Sequence, residues 1–402
     1  MKILMLTPYF PYPPHSGGQT RSYNLIKHLG EKHEITLFSL IKDESERQYI
    51  GELQKYCKKV RIFARPPKPW TIKNVLRTAF SNYPFLVIRN FADEEKKAVS
   101  DELKNEKYDL IHAENFYTMP YIPETEIPVV FIEQTIFYRV YQHYAESLPW
   151  YLCWLKPIFM LDIRKLRYWE NHFLKTAHFT AAVSEEDRQH IQELTGRKKI
   201  YIVPNGVDFK QFSERRYEKS KTPVVLFGLA DFHWMQNKEG VEILMKSIWP
   251  KIKSEVKNAK LWIVGKIAPQ VLSQYLGEKD VLIEEIEDSR EAYQKAWILV
   301  APIRSGGGSR TKFFEAMASG LPIVTTGHGI EGIMAVNNKE AIIRDNLDKL
   351  AEEAIKLLQG KRLREAIGKK AQELVKREYT WESSAKQLDR LYEEATNARK
   401  KN

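Results

Sequence analysis

Between Ile298 and Thr325 the chain places three consecutive glycines, Gly306, Gly307 and Gly308, after one apolar run. Ser309, Arg310, Lys312 and Glu315 follow, before a second apolar run. Three glycines in a row let backbone N–H groups approach a ligand with no Cβ in the way. A helix opening near Ser309 points its unpaired N–H groups into that turn, which favours an anion. Arg310 and Lys312 put two cations in the first turn, where the macrodipole favours acids. Glu315 lies one turn on, on the same face as Lys312. N–H donors and two cations suit phosphates, and a carboxylate suits hydroxyls. Together they suit a diphosphate beside a hydroxylated sugar. The plain alternatives are a strand–turn–helix with a solvated basic end and a Lys312–Glu315 ion pair.

These residues need strands to hold them. Short, apolar, β-rich runs occur at Lys2–Thr7, Glu34–Leu40, Lys59–Phe63, Leu110–Ala113, Pro128–Ile132, Phe179–Val183 and Ile200–Val203. A second set occurs at Val224–Phe227, Leu261–Val264, Val281–Ile283, Ile298–Ala301, Ile323–Thr325 and Ala341–Ile343. Alternation with helical stretches predicts an α/β protein with two doubly wound parallel sheets, each of Rossmann-like type. The break falls at Pro204–Asp208, where Asn205-Gly206 is a turn signal and the polar run to Thr222 reads as a linker. The expected domains are 1–206 with a returning C-terminal helix at 380–402, and 207–379. Ligands of such folds bind at the carboxyl ends of the strands, so a cleft between facing domains is the expected site. Thr380 is the expected N-cap of the last helix.

Composition narrows the classes. A chain of 402 residues with 43% hydrophobic and 29% charged residues reads as soluble and globular. No run is long enough to span a bilayer, and the N-terminus reads as a first strand rather than a signal peptide. Cys57 and Cys153 form no metal spacing, no Asp-x-Asp occurs, and no catalytic metal is implied. A reducing cytoplasm is the default compartment. The net charge of +11 is uneven: no acid lies between Glu52 and Asp93, where Lys55, Lys58, Lys59, Arg61, Arg65, Lys68, Lys73, Arg77 and Arg89 are interleaved with aromatics. That pattern suits an anionic membrane surface or a solvated face, with nucleic acid disfavoured. The segment Gln134–Phe173 is rich in aromatics and basic residues. It suits core packing against the sheet, a membrane surface or an acceptor groove.

The motifs, taken in order, resemble glycosyltransferase family 4, whose members have the two-domain GT-B fold. They are Pro14-His-Ser-Gly17-Gly18-Gln-Thr-Arg21, Tyr108-Asp-Leu-Ile-His112-Ala-Glu114, Val183-Ser-Glu-Glu-Asp187 and Val203-Pro-Asn-Gly-Val-Asp208. Leu261-Trp-Ile-Val-Gly265, the glycine-rich stretch through Gly320, and Tyr379-Thr-Trp381 complete the set. The chain is most similar to the subgroup with Gly-Gly-Gly-Ser/Thr-Arg-x-Lys, which Gly228-x-x-Asp231-x-x-Trp234-x-x-Asn237 also fits. Two positions depart from the wider family. Gly307 stands where many members have the first of two glutamates. Glu114 stands where many have a histidine, with His112 two residues earlier on the same strand face.

The resemblance implies a retaining transfer of sugar from a nucleotide-diphosphate sugar to a lipid-linked or polysaccharide acceptor, in cell-surface glycan synthesis. Arg310, Lys312, His112 and Glu114 are the expected catalytic group. Gly17, Gly18, Asn237, Lys238, Gly306, Gly307, Gly308, Ser309 and Glu315 are the expected donor-binding group, with Glu315 on the ribose hydroxyls. No cofactor or metal is expected, and the location is the cytoplasm, peripheral at the inner face of the membrane. An epimerase of the same fold and a silent nucleotide-sugar-binding protein stay as alternatives. The base, the sugar, the acceptor and the oligomeric state are open at this stage.

Overall fold

Apolar runs too short for helices can bury both faces only inside a sheet covered by helices on either side. The computed structural model, which describes residues 1–66, 68, 70–146, 148, 150–305 and 311–401, has two such sheets. It divides into two compact units, Met1–Pro204 with Ser384–Asn402, and Asn205–Ser383.

The first unit holds β1 (Lys2–Thr7), β2 (Glu34–Ile41), β3 (Lys59–Ala64), β4 (Leu110–Glu114), β5 (Val129–Glu133), β6 (Phe179–Ala182) and β7 (Tyr201–Ile202). Their order is β3-β2-β1-β4-β5-β6-β7, all parallel. Every residue of β4 and β5 is buried. Each fully buried aliphatic side chain contributes roughly 1.5–3 kcal/mol. The order reverses between β1 and β4, which pair with Met5 opposite His112 and Leu6 opposite Ala113.

The second unit holds β8 (Val224–Asp231), β9 (Lys260–Lys266), β10 (Val281–Glu284), β11 (Ile298–Ala301), β12 (Ile323–Thr325) and β13 (Ile342–Ile343). Their order is β10-β9-β8-β11-β12-β13, and the reversal lies between β8 and β11. The fold is the expected pair of doubly wound α/β domains.

Two local readings change. The polar run after Asp208 is no free linker. Asp208 caps a short helix, Phe209–Ser213, and Phe212 is buried. Arg216 and Tyr217 donate their backbone N–H groups to the buried Gln294 side chain at 2.8 and 3.0 Å. Second, β8 carries a bulge between Phe227 and Ala230, with Leu229 at φ 36°. The Ala230 carbonyl then passes so close to Gly265 that a Cβ there would stand 2.1 Å from it. That close approach explains the glycine ending the Leu261–Gly265 motif. The helix Met235–Ile243 opens before Asn237 and Lys238, so both lie in its first turn.

The last helix, Trp381–Lys401, begins where expected, with the Ser383 N–H donating to the Thr380 hydroxyl at 3.1 Å. Leu388, Leu391, Tyr392 and Ala395 bury its apolar face among Ile3, Met5 and Ile35 in the core of the first unit.

Candidate functional site

At the β1/β4 reversal the chain emerges from β1, passes Tyr9, and enters the helix Gly17–Leu29. Ser16 caps that helix by accepting from the Gln19 N–H. Gly17 and Gly18 are its first two residues. Gly18 has a packing reason as well: a Cβ there would stand 2.0 Å from the Tyr9 hydroxyl oxygen. That hydroxyl donates to Gln134 Oε1 at 3.0 Å.

The stripe Arg21, Leu25 and Leu29 of the same helix faces the sheet, so a guanidinium enters the core. Arg21 Nε meets Glu114 Oε1 at 3.0 Å, and Arg21 Nη1 donates to the Pro204 carbonyl at 3.0 Å. Gln134 Nε2 donates to the same carboxylate oxygen at 2.5 Å. His112 Nε2 bonds Glu114 Oε2 at 2.5 Å, and His112 Nδ1 bonds the Tyr392 hydroxyl at 2.7 Å. The carboxylate only accepts, so His112 Nε2 carries the hydrogen of that bond. Burial opposes ionisation of Glu114, but Arg21, His112 and Gln134 override it and hold the carboxyl at about 2.

His112 and Glu114 are 0% and 1% exposed. In this structure they face each other and Arg21 rather than open surface. Their side chains tie the helix Gly17–Leu29, the residue after β5 and the final helix to the end of β4. Asn115, next in the chain, takes φ 78° and accepts from the Phe116 N–H at 2.8 Å, which turns the chain sharply off β4.

At the β8/β11 reversal, Asp231 ends β8 and its carbonyl accepts from Asn237 Nδ2 at 2.9 Å. Asn237 Oδ1 in turn accepts from Lys312 Nζ at 3.2 Å. Lys312 is 6% exposed, and its ammonium stands 4.8 Å from the centre of the Phe227 ring. Lys238 is exposed. Glu315, on the helix Thr311–Ala318, accepts from the Tyr293 hydroxyl at 2.9 Å. Burial raises its carboxyl to about 7, against the lowering effect of the Tyr293 bond. Gly306, Gly307, Gly308, Ser309 and Arg310 lie outside the described residues.

The structure thus brings Lys312 to Asn237, and His112 to Glu114. Sequence reasoning missed Tyr9, Gln134, Tyr293 and Tyr392 as partners, and assigned Arg21 no role. For Arg21 a signal existed, since it sits four residues before Leu25 on the apolar stripe. Nothing local marks the others.

Two family models match the chain. "Glycosyltransferase Family 4" covers residues 15–211 and "Glycosyl transferases group 1" covers residues 223–360. A protein of the cps region of Klebsiella pneumoniae is 19% identical over 86% of this chain and 88% of its own length. Among solved structures, HepE of Anabaena in complex with UDP-glucose superposes with a TM-score of 0.66 at 14% identity, covering 98% of this chain and 100% of that one. WaaG, a glycosyltransferase involved in lipopolysaccharide biosynthesis, superposes with a TM-score of 0.64 at 15% identity, covering 96% and 98%.

The Glu114 network carries a stability prediction. Its depressed carboxyl contributes stability that is present above the ordinary value of 4.5 and is lost as pH falls towards 2. Glu114→Gln should cost about 3 kcal/mol at pH 7, because Arg21 stays buried without its counter-charge. Urea unfolding at pH 7 and at pH 3 measures it. The gap between wild type and variant should narrow at the lower pH, and an equal gap at both would remove the ion pair from the account.

Proposed function

The chain belongs to glycosyltransferase family 4, with the GT-B fold, and on that premise we propose a fuller activity. It transfers a sugar from a nucleoside-diphosphate sugar to a lipid-linked or polysaccharide acceptor in cell-surface glycan synthesis, with retention of configuration. The observation that carries the reading is the group at the β8/β11 reversal. There a buried cation, Lys312, is held by Asn237 one helix away, and the Glu315 carboxyl is held by Tyr293. During transfer the acceptor oxygen bonds to the anomeric carbon as the bond to the diphosphate breaks, and negative charge builds on the departing phosphate. Fixed donors and cations in a dry site stabilise that charge most. Lys312 has this role, joined by Arg310 and the backbone of Gly306, Gly307, Gly308 and Ser309. Asn237 aims Lys312, and Glu315 accepts from the ribose hydroxyls. Lys238 adds positive potential at the surface. Gly17 and Gly18 offer helix N-terminal donors. HepE binds UDP-glucose by its description, which supports a uridine nucleotide as the first donor to try. WaaG and the cps-region protein support the cell-surface role.

The first unit supplies the acceptor side in this reading. Its basic stretch divides in two. Lys55, Lys58 and Lys59 pair with Glu52, Glu34 and Glu102 at 2.7, 2.9 and 2.6 Å, and Arg61 reaches Glu102 at 3.9 Å. No described carboxylate lies within ion-pair distance of Arg65, Lys68, Lys73, Arg77 or Arg89. The aromatic segment divides as well. Tyr138 and Phe173 are buried, whereas Tyr144, Trp150, Tyr151, Trp154 and Tyr168 are exposed. The helix Ile72–Phe80 presents Ile72, Val75, Leu76 and Phe80 to solvent, with Phe80 89% exposed and Trp150 85%. Apolar side chains interleaved with unpaired cations fit an anionic bilayer at the cytoplasmic face of a membrane. No helix among the described residues is long and apolar enough to cross one.

Three measurements test the reading. Glu315→Gln should weaken uridine diphosphate binding by about tenfold or more, the loss of a charge-assisted bond. Wild-type affinity should rise as pH passes through 7, and the variant should lack that rise. The linkage has the opposite sign for stability. A carboxyl raised from 4.5 to about 7 loses stability as pH rises between those values. The glutamine variant should therefore be more stable at pH 8, by about 1–3 kcal/mol. Calorimetric titration and thermal melts across pH 6–8 decide it, and unchanged affinity in the variant would reject Glu315 as a ligand.

The second measurement concerns metals. No described group of three or more His, Cys, Asp and Glu is placed to hold one, and we expect turnover to persist in excess chelator. Release of nucleoside diphosphate, with and without acceptor, is the readout. Loss in chelator with rescue by magnesium or manganese would reject a metal-independent reaction.

The third is sedimentation with vesicles. Binding should be strong to phosphatidylglycerol vesicles, weak to phosphatidylcholine vesicles, and reduced by salt or by Phe80→Glu. Equal binding to both vesicle types would leave the patch without an electrostatic part.

A further inference from the structure

The helix Met235–Ile243 meets the chain on both sides of the three glycines that follow β11. Asn237 holds Lys312, which comes after them, at 3.2 Å. Glu239 Oε2 accepts from the hydroxyl of Ser305, which immediately precedes them, at 2.8 Å. Gly240 is close-packed beside these contacts: a Cβ there would stand 3.0 Å from Ile303 Cδ1 and 3.2 Å from two carbons of the Phe227 ring. The same ring carries the Lys312 ammonium at 4.8 Å from its centre. Asn237 is itself fixed on the Asp231 carbonyl at 2.9 Å. The Thr326 hydroxyl, after β12, donates to the Ile303 carbonyl and pins the segment that leads to Ser305. One helix thus ties down both flanks of the glycines.

Helix design does not account for Glu239. Its neighbours one turn before and after are Met235, Gln236, Glu242 and Ile243, none of them a cation. No described cation lies within ion-pair distance of its carboxylate. Glu239 is half-buried and Ser305 is 8% exposed, so the carboxylate reaches from a partly open position to a buried hydroxyl. That hydroxyl fills one of about four acceptor positions on a carboxylate. A carboxylate repels a diphosphate, but it accepts readily from hydroxyl groups, and such charge-assisted bonds are the stronger kind.

We propose that Glu239 accepts hydrogen bonds from hydroxyls of the transferred sugar and so selects the donor by its sugar. The inference rests on the transferase reading above and deepens it at the donor end. A nucleoside-diphosphate sugar has two hydroxylated ends joined by an anionic centre. The charges here follow the same order, with Glu239 bonded before the glycines, Lys312 after them, and Glu315 one turn further on. With Glu315 on the ribose and Lys312 on the phosphates, Glu239 is the carboxylate left for the sugar. The spacing agrees. Glu239 stands two helical positions from Asn237, which aims Lys312, a separation of about 5.4 Å between backbones, and the transferred sugar is bonded directly to the phosphate. Ser305 stands two positions before Gly307, where many members of the family have a glutamate. The flank that lacks its own carboxylate takes one from the neighbouring helix. A site built to bond a hydroxyl discriminates strongly against a sugar without it.

The test uses the full-length chain and calorimetric titration. The ligands are uridine, deoxythymidine, cytidine, adenosine and guanosine diphosphates, each free and as its glucose ester. In the pair that the wild type binds, Glu239→Gln should weaken the ester about tenfold or more and leave the free diphosphate unchanged. Glu239→Asp, which withdraws the charge by one methylene, should act in the same direction and serves where the glutamine variant does not fold. Ser305→Ala removes the anchor but keeps the carboxylate, and should cost the ester less than Glu239→Gln does. Equal weakening of ester and free diphosphate in the Glu239 variants would reduce Glu239 to a clamp on Ser305 and overturn the proposal. Ester binding at the wild-type level in both Glu239 variants overturns it too, while leaving the transferase reading intact. A wild-type protein that binds none of these ligands would reject that reading, and the proposal with it.

Discussion

A strand covered on both faces has no side chain free for a ligand along its length. In both units this leaves only the strand ends, and in a parallel sheet all the carboxyl ends lie along one edge. The order reversals, β1 against β4 and β8 against β11, open that edge where two crossovers leave in opposite directions. Tyr9, Gly18 and Glu114 gather at the first reversal, and Asp231, Asn237 and Lys312 at the second. Backbone departures cluster there too, with Leu229 in the β8 bulge and Asn115 after β4 both at positive φ. Such departures redirect the chain from a strand into a binding loop, at a cost the packed sheet sustains.

Two buried carboxyls, Glu114 and Glu315, stand in opposite states. Glu114 is surrounded by donors from two other parts of the chain, Arg21 and Gln134, and by His112 of its own strand, and its ionised form is strongly favoured despite full burial. A carboxylate so satisfied is a structural tie, holding the helix Gly17–Leu29 and the final helix to one strand end. Glu315 has Tyr293 as its hydrogen-bond partner, and burial keeps its carboxyl near 7. A carboxyl left short of donors has acceptor capacity to offer a ligand. Lys312 holds its buried ammonium against the Asn237 amide oxygen and the face of Phe227.

The outer surface of the first unit follows the same logic at lower cost. Where a cation on β3 meets a carboxylate, as Lys59 meets Glu102, the charge stabilises the fold only slightly and says nothing about partners. Beyond β3 the pairing stops, and exposed Trp70, Ile72 and Phe80 begin. Among the described residues of this stretch, cations without an ion pair thus lie beside exposed apolar side chains.

Strand positions and the presence of two parallel sheets were legible from local pattern, because an apolar β-rich run of four to eight residues has few ways to be buried. β1, β11 and β12 begin and end where the pattern places them, and Thr380 caps the last helix as its type requires. Lys312 stood out because a cation in the first helical turn opposes the macrodipole, and Glu315 because it lies one turn on, on the same face. Partners were not legible. Glu114 draws on Arg21, 93 positions away, and on Gln134, 20 away, while His112 reaches Tyr392 across 280 positions. The linear view of the basic stretch could not tell which of its charges are neutralised, because Glu34 and Glu102 come from outside it. Periodicity is a property of neighbours along the chain and specifies which face of an element is buried. Which charges meet is decided by crossovers that bring distant strand ends together, and that happens only once the sheets have closed.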